Sequence, residues 1–403
     1  MIKKLRLKNF LSYKDVTIDF KDFNVIIGAN ASGKTNLTKA LLVLRDLIIG
    51  GHQSLEDFDG FMESVFNKNS NEEETLIIEI ELTTNFDIDL TNGGKILAEE
   101  HHYTIEMSFG KGIVKENYWI KLKGNPKPFK ILVRDEKTAK YTHEYNPEFN
   151  KCLALEIDTK SFELLRFQPM AGKALSGFLP LLQKAYCEFF FTYSLVSNQL
   201  IRPFFSRNQK MLAPNGQNLS GVLQFYKEHN PVVLDSINEV LRRNIPHFEF
   251  VDTKALGISK NYYFTVRETD GKDYVLNELS EGTDLFVGLV TAMVTSQYLE
   301  LDKGQKGILI IEEPEKNLHP QLMEEIVALA KSLTDKFQVI ITTHSTDLVA
   351  HLAVEDIILL DKNKAGTRLQ RIKKTEELER YLEEFSLDQI WLNNDLGGGT
   401  ING

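Results

Sequence analysis

The chain has 403 residues, 42% of them apolar and 26% charged, with a formal net charge of -10. This apolar content suffices for a sizeable core and argues against disorder, while the acidic balance excludes a protein that coats nucleic acid through a broad cationic surface. Its two cysteines, Cys152 and Cys187, lie far apart and outside any CxxC pattern, so neither a disulfide framework nor a zinc site is expected and a reducing cytoplasm fits.

Residues 1–22 contain no continuous apolar stretch of the signal-peptide kind, and no run reaches transmembrane length; a cytoplasmic protein without membrane contact is the expectation. Leu5, Leu7 and Phe10, then Val16, Ile18 and Phe20, alternate with polar residues and predict strands, and Phe23 to Ile27 is a short apolar run. After a glycine loop, Leu37, Leu41, Leu44 and Ile48 fall at helical spacing up to the stop at Gly50-Gly51. Alternation returns in Thr75 to Leu82, His102 to Phe109 and Tyr118 to Leu122, with a turn at Asn92-Gly93-Gly94, which predicts an antiparallel β region. Phe178 to Leu195, Leu219 to His229 and Val232 to Arg243 have helical periodicity and predict a helical lobe. Strands near Phe248 to Asp252 and Tyr262 to Arg267 follow. The remainder alternates helix and strand (Thr283 to Leu301, Gly307 to Ile311, Pro320 to Leu333, Gln338 to Thr343, Asp356 to Leu360), the pattern of a mainly parallel sheet.

Four segments carry chemistry. Gly28-Ala29-Asn30-Ala31-Ser32-Gly33-Lys34-Thr35 matches G-x-x-x-x-G-K-[ST] between a buried strand and a helix. There the backbone N–H groups and the helix N-terminus cradle phosphates, Lys34 reaches the β/γ-phosphates, and Thr35 offers its hydroxyl to Mg²⁺. Ile308 to Ile311 is an aliphatic strand ending in Glu312, assigned to the Mg²⁺ shell, and Glu313, assigned to orienting or deprotonating the attacking water. Gln338 to Ser345 is a further apolar run ending in polar residues, with His344 placed to hydrogen-bond near a γ-phosphate. Leu279-Ser280-Glu281-Gly282-Thr283 precedes a helix apolar almost all round, and the Ser280 hydroxyl and the N–H groups around Gly282 suit an anion. Each segment also has an ordinary structural reading, as a glycine turn, a polar strand end or a serine cap.

In that order the segments resemble the Walker A, signature, Walker B and switch-histidine motifs of an ABC-type ATPase. Leu7-Lys8-Asn9-Phe10, Gly28 to Asn36 and Glu312-Glu313-Pro314-Glu315 to Leu318-His319-Pro320 narrow the likeness to RecF/SMC-like ATPases and the ATPase part of OLD-family proteins. Asn215 to Leu219 and the ending around Trp391 to Gly399 are similar to standalone AAA-family ATPases, many of them associated with bacterial anti-phage defence. The resemblance implies an α/β fold of the ABC P-loop type with a mixed sheet, an antiparallel β subdomain and a helical insert. Its expected divisions are 1–95 with Walker A, 96–250 as the insert, and 251–403 with signature, Walker B and switch histidine. It also implies ATP and Mg²⁺ as ligands, held by Gly28, Asn30, Ser32, Gly33, Lys34, Thr35, Asn36 and Glu312, with Lys34, Glu313 and His344 acting on the γ-phosphate and its water. A head-to-tail homodimer follows from it, in which Ser280 and Gly282 of one copy cover the nucleotide of the other while Asn317 to His319 runs along the interface. Departures are Glu312 where Asp is usual, Glu281 and Thr283 in the signature, and no clear Q-loop residue, Gln53 being a weak candidate.

Three functions compete on this reading. The first is an ATPase switch gating a separate effector, such as a nuclease or toxin, in anti-phage defence. A RecF-like DNA-binding ATPase is the second, with Arg202, Arg207, Lys210, Arg242 and Arg243 as candidate phosphate contacts. The third, a self-contained nuclease, is disfavoured because no carboxylate-rich cluster follows Ser345, and His101-His102 reads as a surface pair.

Overall fold

The computed structural model describes residues 1–50, 58–141, 153–156, 182, 186–393 and 396, apart from 72, 90–94, 110, 136–137, 201–203, 206–208, 258–260, 276–277, 302–304 and 364–365. The turn at Asn92-Gly93-Gly94, Gln53, Cys152, Arg202, Arg207 and Gly397 to Gly399 lie outside the described residues.

The chain opens with β1 (Ile2–Phe10), β2 (Tyr13–Asp19), β3 (Phe23–Ile27), α1 (Lys34–Gly50) and α2 (Phe58–Val65). The strands β4 (Leu76–Asp89), β5 (Lys95–Ser108), β6 (Gly112–Leu122), β7 (Phe129–Arg134), β8 (Thr138–Tyr141) and β9 (Leu153–Glu156) come next. After them lie β10 (Phe190–Tyr193), α3 (Ser197–Leu200), β11 (Phe204–Phe205), α4 (Leu219–His229), α5 (Pro231–Asn244), β12 (Phe248–Ala255), β13 (Asn261–Glu268) and β14 (Asp273–Val275). The last third comprises α6 (Glu281–Gln297), β15 (Gly307–Glu312), a 3-10 turn at Pro320–Leu322, α7 (Met323–Ser332), β16 (Phe337–Thr343), α8 (Thr346–Val349), β17 (Ile357–Asn363), β18 (Gly366–Arg371), α9 (Glu376–Glu384) and α10 (Leu387–Leu392).

Three sheets result. The first has eight strands in the order β2-β1-β4-β5-β6-β7-β8-β9, antiparallel throughout, and its ladder continues across residue 95. The second, in the order β10-β15-β16-β3-β17-β18, is parallel except for the last pair. A small sheet of β11, β12, β13 and β14 completes the set.

The second sheet is covered on both faces, which is why its strands read as unbroken apolar runs. Successive residues alternate between two cores: Ile26, Ile308, Ile310 and Ile340 pack with α1 and the antiparallel sheet, and Val25, Ile27, Leu309, Ile311, Val339 and Ile341 pack with α6 and α7. The fold class expected from the sequence is the one observed. The helix expected over Phe178 to Leu195 is corrected at its end, because Phe190–Tyr193 is a strand paired parallel to β15. A run of aromatic and β-branched residues fits a pleated, half-buried edge as well as it fits a helix, and the free side of β15 supplies that edge.

His101 and His102 also differ from expectation. Neighbours on a strand face opposite ways, so they cannot share a surface. His101 is fully buried between the Tyr118 hydroxyl at 2.7 Å and that of Thr84 at 2.9 Å, and burial lowers its pKa to about 3. His102 lies on the other face against Glu79 and Trp119.

One buried amide stitches the antiparallel sheet to the parallel one. On β16, Gln338 accepts from the Ile2 N–H (2.8 Å) and donates from its Nε2 to the carbonyls of Ile2 (2.7 Å) and Lys21 (2.8 Å), at 0% exposure. Gln338→Leu leaves the buried Ile2 N–H and carbonyl without this partner, each costing about 1–3 kcal/mol, while the Lys21 carbonyl keeps the Asn24 amide at 2.7 Å. The expected result is a lower denaturation midpoint with the m-value retained; a midpoint equal to wild type would show that the stitch contributes nothing.

Candidate functional site

β3 is buried at all five positions and ends at Ile27; α1 starts at Lys34, leaving Gly28 to Gly33 as the connecting loop. Gly33 has φ 117°, and a Cβ there would lie 2.8 Å from the Ser12 hydroxyl and 3.0 Å from that of Thr367, so only glycine fits. The loop is tied from behind: the Tyr13 hydroxyl donates to the Gly33 carbonyl at 2.8 Å and the Thr367 hydroxyl to the Ser32 carbonyl at 2.9 Å. The Ser32 N–H donates to the Ala29 carbonyl at 3.2 Å, and the other N–H groups of the loop and the first turn of α1 suit an anion. Lys34 is 6% exposed and donates from Nζ to the carbonyls of Gly28 (2.7 Å) and Ala29 (3.1 Å). Burial lowers its pKa, and Glu313 and Glu315 oppose that shift.

Parallel register brings the carboxylates to the same edge. Glu312 ends β15 opposite Thr342 of β16, and Thr343 lies opposite Ile27 of β3. Burial raises the Glu312 pKa above the usual carboxylate range; the Thr38 hydroxyl pulls it back and Glu313 pushes it further up. Thr38 lies three residues after Thr35, so the two are neighbours on α1, and Thr38 is the one that reaches Glu312. Glu313 takes a left-handed φ of 45° while its N–H still donates to the Thr342 carbonyl at 2.8 Å.

His344 lies between two carboxylates, its Nδ1 3.6 Å from Glu313 Oε1 and 3.6 Å from Glu315 Oε1. Its backbone N–H donates to Glu315 Oε1 at 3.1 Å. Glu315, with a side chain 9% exposed and Oε2 unpartnered among the described residues, is placed by the sequence at the nucleotide site or its edge, as the acid directly after Glu312-Glu313-Pro314, but its bond to the His344 backbone is not foreseen there. Lys34, Glu312, Glu313, Glu315 and His344 thus converge. Ser32 lies in the loop with its buried hydroxyl unpartnered among the described residues, and Asn30 and Thr35 are exposed. The Asn36 amide, by contrast, donates to the Ser12 hydroxyl at 2.9 Å.

The signature residues lie elsewhere. Ser280 is the N-cap of α6 and accepts from the Thr283 N–H at 3.1 Å. A Cβ on Gly282 would fall 2.5 Å from the Asn317 carbonyl, so the start of α6 is pressed onto the loop after β15. Ser280, Gly282 and Thr283 line a groove of about 860 Å³ with Asn317, His319 and Arg243, and no residue of Gly28 to Thr35 belongs to it. Asp284 in the same first turn is buried, which with neighbouring Glu281 raises its pKa to about 7; sequence reading passed over it.

A convergent lysine, an anion-ready loop and a carboxylate edge fit a nucleoside triphosphate with a divalent cation, the Ser32 hydroxyl having no partner among the described residues and the Glu312 carboxylate being a hard oxygen ligand. Glu315→Gln keeps an oxygen to accept from the His344 N–H, whereas Glu315→Ala keeps none. Ala is therefore expected to lower turnover by about tenfold with KM little changed, and Gln to retain most of it, since one hydrogen bond to a charged group is worth about 1.5–3 kcal/mol. Equal turnover in Ala and wild type would remove Glu315 from the site.

A family profile described as "AAA domain, putative AbiEii toxin, Type IV TA system" matches residues 147–350, and one described as "AAA ATPase domain" matches residues 1–171. Among curated proteins, the DNA replication and repair protein RecF of Bacillus cytotoxicus is 52% identical over 44 residues and that of Chlamydia caviae 54% over 44 residues. Each alignment covers 11% of this chain and 12% of the relative, so the chain spans only a small fraction of these proteins' length. In fold the chain is similar to an SMC head crystallised with the C-winged helix domain of ScpA, with a TM-score of 0.53 at 15% identity over 94% of this chain and 99% of that one. No described helix is long and apolar enough to cross a membrane.

Proposed function

The chain belongs to the AAA family whose profile spans residues 147–350, and from that membership we propose that it is an ATP-hydrolysing switch that works as a head-to-tail pair and controls a separate effector. The observation that carries the reading is the meeting of Lys34, Glu312, Glu313, Glu315 and His344 at one edge of the parallel sheet, beside the loop Gly28 to Gly33.

In this reading Gly28, Asn30, Ser32, Gly33, Lys34 and Thr35 hold the triphosphate, with Asn36 bracing the loop through Ser12. Thr35 and Glu312 hold Mg²⁺, which supplies charge neutralisation between the phosphates. Glu313 takes a proton from the attacking water, and His344 orients that water or the γ-phosphate from between Glu313 and Glu315. Ser280 and Gly282 act on the nucleotide of a second copy. Their groove excludes the chain's own phosphate loop, which supports a shared site.

Effector control is favoured because the matched family is described by a two-component toxin system, and every carboxylate of the convergent site is taken up by the nucleotide reading. The RecF likeness favours a second reading, a DNA-binding ATPase. Against it, Arg242 is committed to the Glu249 carbonyl through two hydrogen bonds and is not an idle surface cation.

Lys34→Ala is expected to lose productive ATP binding, and Glu313→Gln to bind ATP yet hydrolyse it about 100-fold more slowly, accumulating as a dimer in light scattering. Normal turnover in folded Lys34→Ala would defeat the site assignment; normal turnover in Glu313→Gln with loss in Glu312→Gln would exchange the two roles. The chain alone with ATP and Mg²⁺ or Mn²⁺ should leave plasmid, single-stranded DNA and RNA uncut, using Lys34→Ala as the contamination control. Cleavage by the chain's own residues would overturn the effector reading.

A further inference from the structure

The signature segment has a deficiency for the role given to it. An anion entering the groove beside α6 meets the Ser280 hydroxyl, already engaged with Thr283, but no cation from the segment itself. A helix N-terminus contributes partial charge only, whereas a triphosphate carries several full negative charges. The groove's charge must come from another element.

That element is the end of α5. Among the described residues that line the groove, Arg243 is the only lysine or arginine, and it shares the lining with Ser280, Gly282, Thr283, Asn317 and His319. Its place is fixed by packing. Val233, Ile237, Val240 and Leu241 on α5 are buried in the same core as Leu285, Phe286 and Leu289 of α6, so the last turn of α5 is held beside the first turn of α6. The Arg243 side chain is 58% exposed, and its one hydrogen-bonded partner is Glu325 at 3.1 Å. An exposed pair of this kind contributes little and is readily exchanged for a stronger acceptor. Adjacent Arg242 is committed instead to the Glu249 carbonyl through two bonds of 3.2 and 2.9 Å.

We propose that Arg243 of one chain completes the nucleotide site of a second copy, placing its guanidinium against the triphosphate that the second copy's Lys34 holds. The inference rests on the head-to-tail reading above. The groove is of nucleotide size, within the span of about 300–1,000 Å³ usual for small-ligand sites. A planar guanidinium suits phosphate oxygens in a way that a lysine does not, since it donates two parallel hydrogen bonds. Each copy therefore contributes the P-loop and carboxylates to one site, and the signature with Arg243 to the other.

The test uses full-length chains carrying two different tags, so that heterodimers are purified before assay. Arg243→Ala is expected to lower ATP turnover about tenfold or more while leaving binding of a fluorescent ATP analogue to the isolated chain unchanged. Arg243→Lys should fall in between, because charge is kept and the fork is lost. In an Arg243→Ala/Lys34→Ala heterodimer, one composite site has both residues intact, and turnover should return to a substantial fraction of half the wild-type value. A Ser280→Arg/Lys34→Ala heterodimer tests the pairing itself. If that control is restored and the Arg243→Ala heterodimer is not, Arg243 acts within its own chain and the inference is overturned while the pairing stands. If neither is restored, the head-to-tail reading fails and the inference falls with it. Arg243→Ala with wild-type turnover overturns it outright, as does a variant that loses only salt-sensitive DNA binding.

Discussion

The parallel register of β15, β16 and β3 is the constraint on which the rest of the site depends. These strands are buried on both faces, and parallel pairing makes all three leave the sheet on the same side. Lys34, the carboxylates at the end of β15 and His344 after β16 therefore meet at one edge. A slip of one position would turn each strand's alternating side chains toward the opposite core, and the two cores are built from different partners. The register is thus protected by packing far from the chemistry.

Charge at this edge is balanced between opposed costs. Removing Lys34 from water favours its neutral form, and Glu313 and Glu315 favour the ammonium; removing Glu312 from water favours its protonated form. An edge that sets one lysine beside three carboxylates suits a divalent cation as much as a phosphate. His344 lies between two of the acids.

The local parts of this arrangement were legible in the sequence. A phosphate loop between a buried strand and an amphipathic helix is a contiguous pattern, as is an aliphatic run ending in Glu312-Glu313, and both fall where expected. What depends on distant partners was not. Phe190 to Tyr193 became a strand because β15 had an open edge, which no window of sequence around residue 190 reveals. Glu315 matters through the backbone of His344, 29 residues away, and Gln338 through Ile2, 336 residues away. His101 and His102 were misread for a different reason: the period of two was applied to the strand but not to the pair within it.

The close approach of Gly282 to the Asn317 carbonyl has a mechanical meaning. Asn317 sits in a left-handed turn three residues before the helical segment at Pro320, on the same short loop that begins with Glu313 and Glu315. The loop's near end carries Glu313 and Glu315 at the convergent site, and its far end lines the groove beside α6. With a gap of 2.5 Å for even one added carbon, the loop has no slack against the first turn of α6. In the proposed pair, a shift of Glu313 would therefore tilt that turn, a short, stiff lever by which each half would register whether the other is loaded or spent.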